Sequence, residues 1–483
     1  MTTIASNAAP ASRGAALRHA ALALVAMSAS NVAHAQAPTL EQLTERLRAL
    51  EARLGGPPGD TTESATLSTL DERLRVIERQ LEIQADDAAS KAAGASSMSL
   101  GGKGLTIKSP AAEGVELKLR ALIQADHRTW RGDDTQPQNG GFLLRRLRPT
   151  LEGSFGPLVG FRLTPEFAGD SATVVDAYVD LKFDPRATVR VGKVKGPVGL
   201  ERWQPAQAIA FVERGFPTEL VPNRDLGAQL QGEFGAGAVQ YVAGVYNGAP
   251  DGRDAPSINA DGAYEYAGRV FVEPFRASAG AWSGLGIGLG ASQGERSGGG
   301  NAALARYRTP GQGVFFNYRS AVQADGRHRR LSPQGYFYRG PFGLLGEYVT
   351  SSQTLRTGGV RERLDHRAWQ LAASWVLTGE DAGFRGVARP DRPLTGDGGG
   401  FGAFELTARI GALEVDRDAF PLFADAATSA RAARAWTLGL NWYPTQNLKL
   451  VANLTQAVFD GGAPDGGDRE DETTLFTRAQ LSF

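Results

Sequence analysis

Few side chains in this 483-residue chain are equipped for covalent or metal chemistry. After residue 35 the histidines are His127, His328 and His366. None lies in an H-x-x-x-H pair or beside a G-x-S-x-G turn. There is no cysteine, which removes disulfides, thiolate-held zinc and iron–sulfur clusters together. "GLGIGLG" at 284–290 is glycine-rich, but it follows a strand pattern and precedes no helix, so it makes a poor phosphate cradle. "DGRDAPSINADG" (251–262) and "DGGAPDGGDRED" (460–471) hold enough aspartate for calcium, although acidic surface loops more often explain such runs. No serine–histidine or carboxylate cluster stands out, so neither an enzyme nor a cofactor is expected. What remains is charge. The 52 basic and 52 acidic side chains cancel, which argues against a nucleic-acid binder. Locally the basic residues recur at every second position, as in Lys118 and Arg120, or Arg146 and Arg148. Arginine's planar fork donates two parallel bonds to an oxyanion, whereas lysine acts as a point charge.

That spacing belongs to strands. In "VELKLRALIQADHRTW", Val115, Leu117, Leu119, Ala121 and Ile123 share one face, with Glu116, Lys118, Arg120, Gln124 and Asp126 on the other. "FLLRRLRPTLEGSF", "VVDAYVDLKF" and "WTLGLNWY" repeat the alternation. Segments of about 10 residues, apolar on one face and separated by turn residues, point to a transmembrane antiparallel β-barrel. A closed barrel is the one sheet that leaves no unpaired edge in lipid. The fold class is therefore all-β, with about sixteen strands between residues 114 and 483. The alternative is a secreted β-sandwich or β-helix. An even count puts both ends of the barrel on the periplasmic side. Connections near 131–141, 195–225, 293–327 and 460–471 then lie outside, and short turns such as 183–187, 340–342 and 443–447 lie in the periplasm. The long connection 377–401 falls on the periplasmic side and is expected to fold into the lumen or plug its mouth. The last segment, "TRAQLSF", alternates up to Phe483, as expected of a strand that closes the ring.

The N-terminal part has its own organisation. Arg13, Arg18 and His19, an apolar run and Ala33-His34-Ala35 make residues 1–35 a secretory signal peptide. Leu40, Leu43, Leu47, Leu50 and Leu54, then Leu67, Leu70, Leu74, Ile77 and Leu81, form two heptad seams broken by "GGPPGD" at 55–60. Residues 36–84 thus read as a short periplasmic coiled coil, or as a helix lying on its own subunit. Residues 85–103 read as a flexible linker, and 104–483 as the barrel domain.

Several motifs in order, among them "FLLRRLRPTLEG", "VRVGKVKGPVGLERW", "AIAFVERGF", "VAGVYNG", "GPFGLLGEYV", "GAFELTARI" and "TLGLNWYP", resemble the phosphate-selective porin family (porin O and P type) of Gram-negative outer membranes. The resemblance covers nearly all of 104–483. It implies a homotrimer of sixteen-stranded barrels in the outer membrane, each passing small anions such as phosphate past an inward-folded loop after the fifth strand, here residues 195–225. Outer-membrane lipid is a further expected partner, as is lipopolysaccharide, bridged to the acidic loops by divalent ions, and the terminal aromatic Phe483 on the last strand resembles the recognition signal of the barrel-assembly machinery. Candidates for the anion path are Lys118, Arg120, Arg146, Arg148, Arg162 and Arg190 on the wall, then Lys193, Lys195, Arg202, Arg214 and Arg224 at the narrowing segment. Against them stand Glu116, Glu152, Glu166, Asp176 and Asp180 on the wall and Glu201, Glu213, Glu219 and Asp225 in the segment. The competing expectations are a weakly selective general porin, or a barrel whose coil mainly tethers the membrane to a periplasmic partner.

Overall fold

The computed structural model describes residues 75–84, 95–110, 113–132, 139–169, 171–259, 261–396 and 398–483. The chain divides into two units, 1–88 and 89–483. In the first, residues 75–84 are helical and include Ile77 and Leu81 of the second heptad seam. The signal peptide, the first seam and the break at 55–60 lie outside the described residues.

In the second unit the period of two becomes one continuous sheet. Among the described residues its ring has sixteen strands: β1 (Val115–Arg131), β2 (Gly141–Phe155), β3 (Val159–Glu166), β4 (Thr173–Asp184), β5 (Ala187–Val194), β6 (Asp225–Phe234), β7 (Val239–Tyr246), β8 (Glu265–Val272), β9 (Leu285–Gly299), β10 (Gln323–Arg339), β11 (Phe342–Thr357), β12 (Val360–Val376), β13 (Ala403–Glu414), β14 (Ala430–Tyr443), β15 (Leu448–Gly461) and β16 (Glu472–Ser482). Each pairs antiparallel with the next. β16 pairs with β1 from Thr473↔Arg131 to Ser482↔Leu122, which closes the ring. Beyond that register, Ala121 and Phe483 exchange both backbone hydrogen bonds, at 3.0 and 3.1 Å. The free lower part of β1 pairs instead with strand Gly104–Lys108, itself one arm of a hairpin with Ser97–Gly101. Ordered sheet therefore starts at residue 97, not 104. In the sequence this stretch looks like tether because Met98 and Leu100 alternate with small residues over only five positions, too short a run to mark a strand.

The two faces separate as lipid demands. On β13 and β14, Ile410 and Leu438 are about half exposed outward (50% and 55%), while Arg409 and Asn441 are shut inside (3% and 0%). The strand ends bearing the short turns carry stacked aromatic pairs: Phe155 with Phe161, Phe234 with Tyr241, Phe342 with Trp375, and Phe404 with Trp442. Such girdles mark a membrane–water interface. No helix among the described residues is long and apolar enough to cross a membrane.

The ring's two ends differ. At the turn end, 156–158, 185–186, 235–238, 340–341 and 444–447 are tight connections of two to four residues. The exceptions there are 273–284 and 377–402. At the loop end, 195–224, 247–264, 300–322 and 415–429 are long. Loop 300–322 contains a small hairpin, Arg306–Arg308 with Val314–Asn317. Its Tyr307, Phe315 and Phe316 pack with Phe216 and Leu220 of loop 195–224, Phe423 of loop 415–429, and the inward side chains Leu355, Leu364, Leu413 and Phe459. This apolar core fills the lumen beside β11 to β15 at the loop end. Burying each such side chain is worth about 1.5–3 kcal/mol, so the loops are held as solid structure.

Candidate functional site

A loop inside a barrel leaves its backbone polar groups without bulk water, so each needs a partner. Loop 195–224 shows where they come from. It begins with a single helical turn, Leu200–Trp203, whose N-cap Gly199 offers no side chain. Glu347, reaching from β11, caps it instead by accepting from the Leu200 and Glu201 N–H groups at 2.6 and 3.2 Å. Carboxylates suit a helix N-terminus and cations its C-terminus. At the other end of the turn Lys195 Nζ donates to the carbonyls of Trp203 and Gln204 (3.0 and 2.8 Å), and Arg214 to those of Glu201 and Gln204 (3.0 and 2.9 Å). Arg202 Nη2 donates to the Thr218 carbonyl at 2.5 Å. The loop then runs along the far wall. Gln480, Lys449, Asn441 and Arg478 donate to the carbonyls of Gln207, Ile209, Ala210 and Val212, at 3.1, 2.9, 2.9 and 2.7 Å. Gly290 in β9 allows the close approach of Val198; a Cβ there would lie 2.3 Å from its carbonyl oxygen. The glycine run at 284–290 thus serves packing.

Glu213 locks the tip. It accepts from Arg128 at 2.5 Å and Arg145 at 2.6 Å, with Arg478 at 3.8 Å. Burial alone would raise its pKa, but Arg145 and Arg128 outweigh burial and hold the carboxyl well below the usual range. Burial, with the charges of Arg224 and Arg214, pushes the Lys195 ammonium well below an ordinary lysine. Burial beside Arg202 brings Arg214 down to about 9.

The loop therefore divides the lumen. Beside β10 to β16 many inward polar side chains bond loop backbone, among them Gln334, Glu347, Arg409, Asn441, Lys449 and Arg478. Beside β1 to β6 a cavity of about 610 Å³ remains. It is lined by Arg120, Arg148, Arg162 and Arg190 from the wall and by Lys195, Trp203 and Arg224 from the loop; Arg385, Lys103 and Gln446 border it from the turn end. Its walls hold eight lysine or arginine side chains and one acidic side chain, Asp176. Carboxylates pin the guanidiniums, Asp176 from within the lining and the others from outside it. Glu152 holds Arg120 at 2.9 Å and Arg162 at 3.0 Å, and Glu166 holds Arg148 at 2.6 Å. Asp180 grips Arg190 in a fork at 2.7 and 2.9 Å, and Asp176 takes Arg224 at 2.7 Å. Arg190 also lies over the Tyr178 ring, 3.9 Å from its centroid.

Of the eleven residues singled out in the sequence, Arg120, Arg148, Arg162, Arg190, Lys195 and Arg224 meet around this cavity. Lys118 pairs with Glu116 at 3.1 Å and Lys193 with Asp254 at 3.2 Å. Arg146 is buried and donates to Gln124 at 2.5 Å. Arg202 and Arg214 bind loop backbone. Two cavity residues, Lys103 and Arg385, were not foreseen, nor was Arg145, the second ligand of Glu213. Strict alternation sends Arg145 to lipid. A bulge between the pairs Gln124↔Arg146 and Ala125↔Leu144 leaves it as the extra residue and turns it inward. The hint was available in "RR": one of two adjacent arginines on a flat strand would face hydrocarbon, at about 2–4 kcal/mol near the midplane. A bulge removes that cost.

A family model described as phosphate-selective porin O and P matches residues 115–483, the span of the ring. An uncharacterized protein of Caulobacter vibrioides is 27% identical over 363 residues, 71% of this chain and 68% of its own. Among solved structures, the outer membrane channel DcaP of Acinetobacter baumannii overlaps 78% of this chain and 99% of its own, at 12% identity and a TM-score of 0.50. An anion-selective porin from Comamonas acidovorans overlaps 76% and 100%, at 15% identity and a TM-score of 0.48.

Proposed function

Because the chain belongs to the phosphate-selective porin O and P family, we propose that its barrel lets small hydrophilic anions, phosphate among them, diffuse through the basic cavity beside loop 195–224. That it forms an outer-membrane porin channel follows from the family and the fold. The anion preference rests on one observation: basic side chains, with Asp176 as the one acidic side chain, line the space that the loop leaves open. An anion entering a narrow passage loses hydration, and N–H donors on the lining replace part of it while their field repels cations. The donors stand ready without rearrangement, since Glu152, Glu166, Asp180 and Asp176 hold the forks in place. The same pairing favours a second reading, a weakly selective general porin, because each carboxylate cancels much of the field of its arginine.

Purified protein in a planar bilayer under a potassium chloride gradient decides between them. The zero-current voltage should lie on the anion side, and added orthophosphate should reduce the chloride current. A zero-current voltage on the cation side would overturn the anion part and leave the porin. The homotrimer belongs to the proposal through the family, contact with lipopolysaccharide through the acidic loops, and delivery by the barrel-assembly machinery through the terminal aromatic Phe483. The particle size of the same preparation in detergent checks the trimer. Deleting 36–94, which spares the hairpin that begins at Ser97, separates a trimerising coil, whose loss dissolves the trimer, from a tethering one, whose loss leaves it whole.

A further inference from the structure

Connection 377–402 lies at the turn end, where the other links are mostly tight, and it is built into the lumen rather than hanging free. The Ala382 N–H donates to the Gly340 carbonyl at 2.8 Å and the Leu394 N–H to the Pro444 carbonyl at 2.7 Å, which ties the segment to the turns on either side. The Asp391 N–H donates to Glu380 at 3.1 Å across its base. Its tip touches loop 195–224: Gln204 Nε2 donates to the Phe384 carbonyl at 2.6 Å. The Phe384 ring stacks on Tyr336, 5.2 Å between centroids, and packs with Leu200, Phe271 and Leu345. The next residue, Arg385, points into the basic cavity. Among the described residues Arg385 has no hydrogen-bond or ion-pair partner, and it is exposed to the cavity space. The wall arginines across from it share their donors with carboxylates. Arg385 keeps all five N–H donors for a solute.

We propose that connection 377–402 forms a second narrowing, in series with loop 195–224, and that Arg385 is the residue at its lip that selects small oxyanions. This rests on the anion-channel reading above. A carboxylate or phosphate presents two oxygens to the fork of an arginine and is held more firmly than a halide. Since the lip lies on the turn-end side of the loop, its charge acts first on ions driven from that side.

The test uses the full-length chain in planar bilayers, with chloride and orthophosphate as probes. If the unmodified protein reverses on the cation side, the anion-channel reading fails and this proposal falls with it. If it reverses on the anion side, Arg385→Gln should shift the reversal toward cations and weaken the block by orthophosphate. Both effects should be larger from the turn-end face, and Arg385→Lys should restore the reversal. An Arg385→Gln channel indistinguishable from the unmodified one overturns the proposal alone. Because the chain has no cysteine, Arg385→Cys can be labelled at a single site. A cationic thiosulfonate should restore anion preference and an anionic one should abolish it. Equal effects of the two reagents would mean that the site only occupies space, and would also overturn the proposal.

Discussion

Glu213 shows how a single residue can fix a channel's shape. It is buried and meets Arg128 and Arg145 at hydrogen-bond distance, with Arg478 close by. Removing one partner of a buried ion pair costs about 3–5 kcal/mol, because the other charge stays behind uncompensated. Glu213→Gln leaves guanidiniums facing a neutral amide. We expect it to lower the temperature at which the barrel unfolds in detergent and to add flicker to single-channel currents as loop 195–224 loosens. Unchanged melting with quiet currents would show that the loop is held by its backbone bonds alone. The residues of this clamp were only half visible in the sequence. In the sequence Glu213 stands only as an acidic residue of the narrowing segment, set against its basic ones. Arg145 was hidden, because period two assigns a face and carries no mark for a bulge.

At the scale of elements, the strands were legible and the insides of the loops were not. A transmembrane strand must alternate, since its two faces meet different solvents. The small hairpin Arg306–Arg308 with Val314–Asn317 is three and four residues a side, too short to show a period, so nothing in the pattern marks 300–322 as more than an outer loop. Yet Phe316 is fully buried there, in ring contact with Tyr307, Tyr318 and Phe420. Truncating a buried phenylalanine to alanine costs about 3–5 kcal/mol. Phe316→Ala should therefore free loops 300–322 and 415–429 to protease from the loop-end face, while circular dichroism of the strands stays unchanged. If cleavage stays as slow as in the parent, the apolar core is not what holds these loops. Connection 377–402 was the converse case. Its length on the side of short turns pointed inward from the sequence, and Gln204 and Tyr336 are what it meets.

For the whole molecule, the fold could be read because lipid imposes one rule on every strand. Which half of the lumen stays open could not, since alternation sends β2 and β14 residues inward alike. The difference arises only when loop backbone claims Asn441, Lys449 and Arg478 and leaves Arg148 and Arg190 facing space. The rule itself can be tested on one strand. Leu438 faces outward and its neighbour Thr437 inward. Leu438→Arg should cost about 2–4 kcal/mol if it lies near the bilayer midplane, seen as a loss of folded barrel in lipid vesicles. An outcome with no loss would contradict the assignment of the outer face.

The pairing of β16 with β1 also governs timing. Asp126 and Arg478, joined across that join, stand 352 positions apart in the chain. A stretch of fifteen strands still has two raw edges, which hydrocarbon does not tolerate. The earliest strand must therefore wait for the latest, and the membrane can accept the wall only as a finished hoop. Anything that shelters the chain during that wait has to cover many half-apolar ribbons at once, a demand set by where two strands happen to meet.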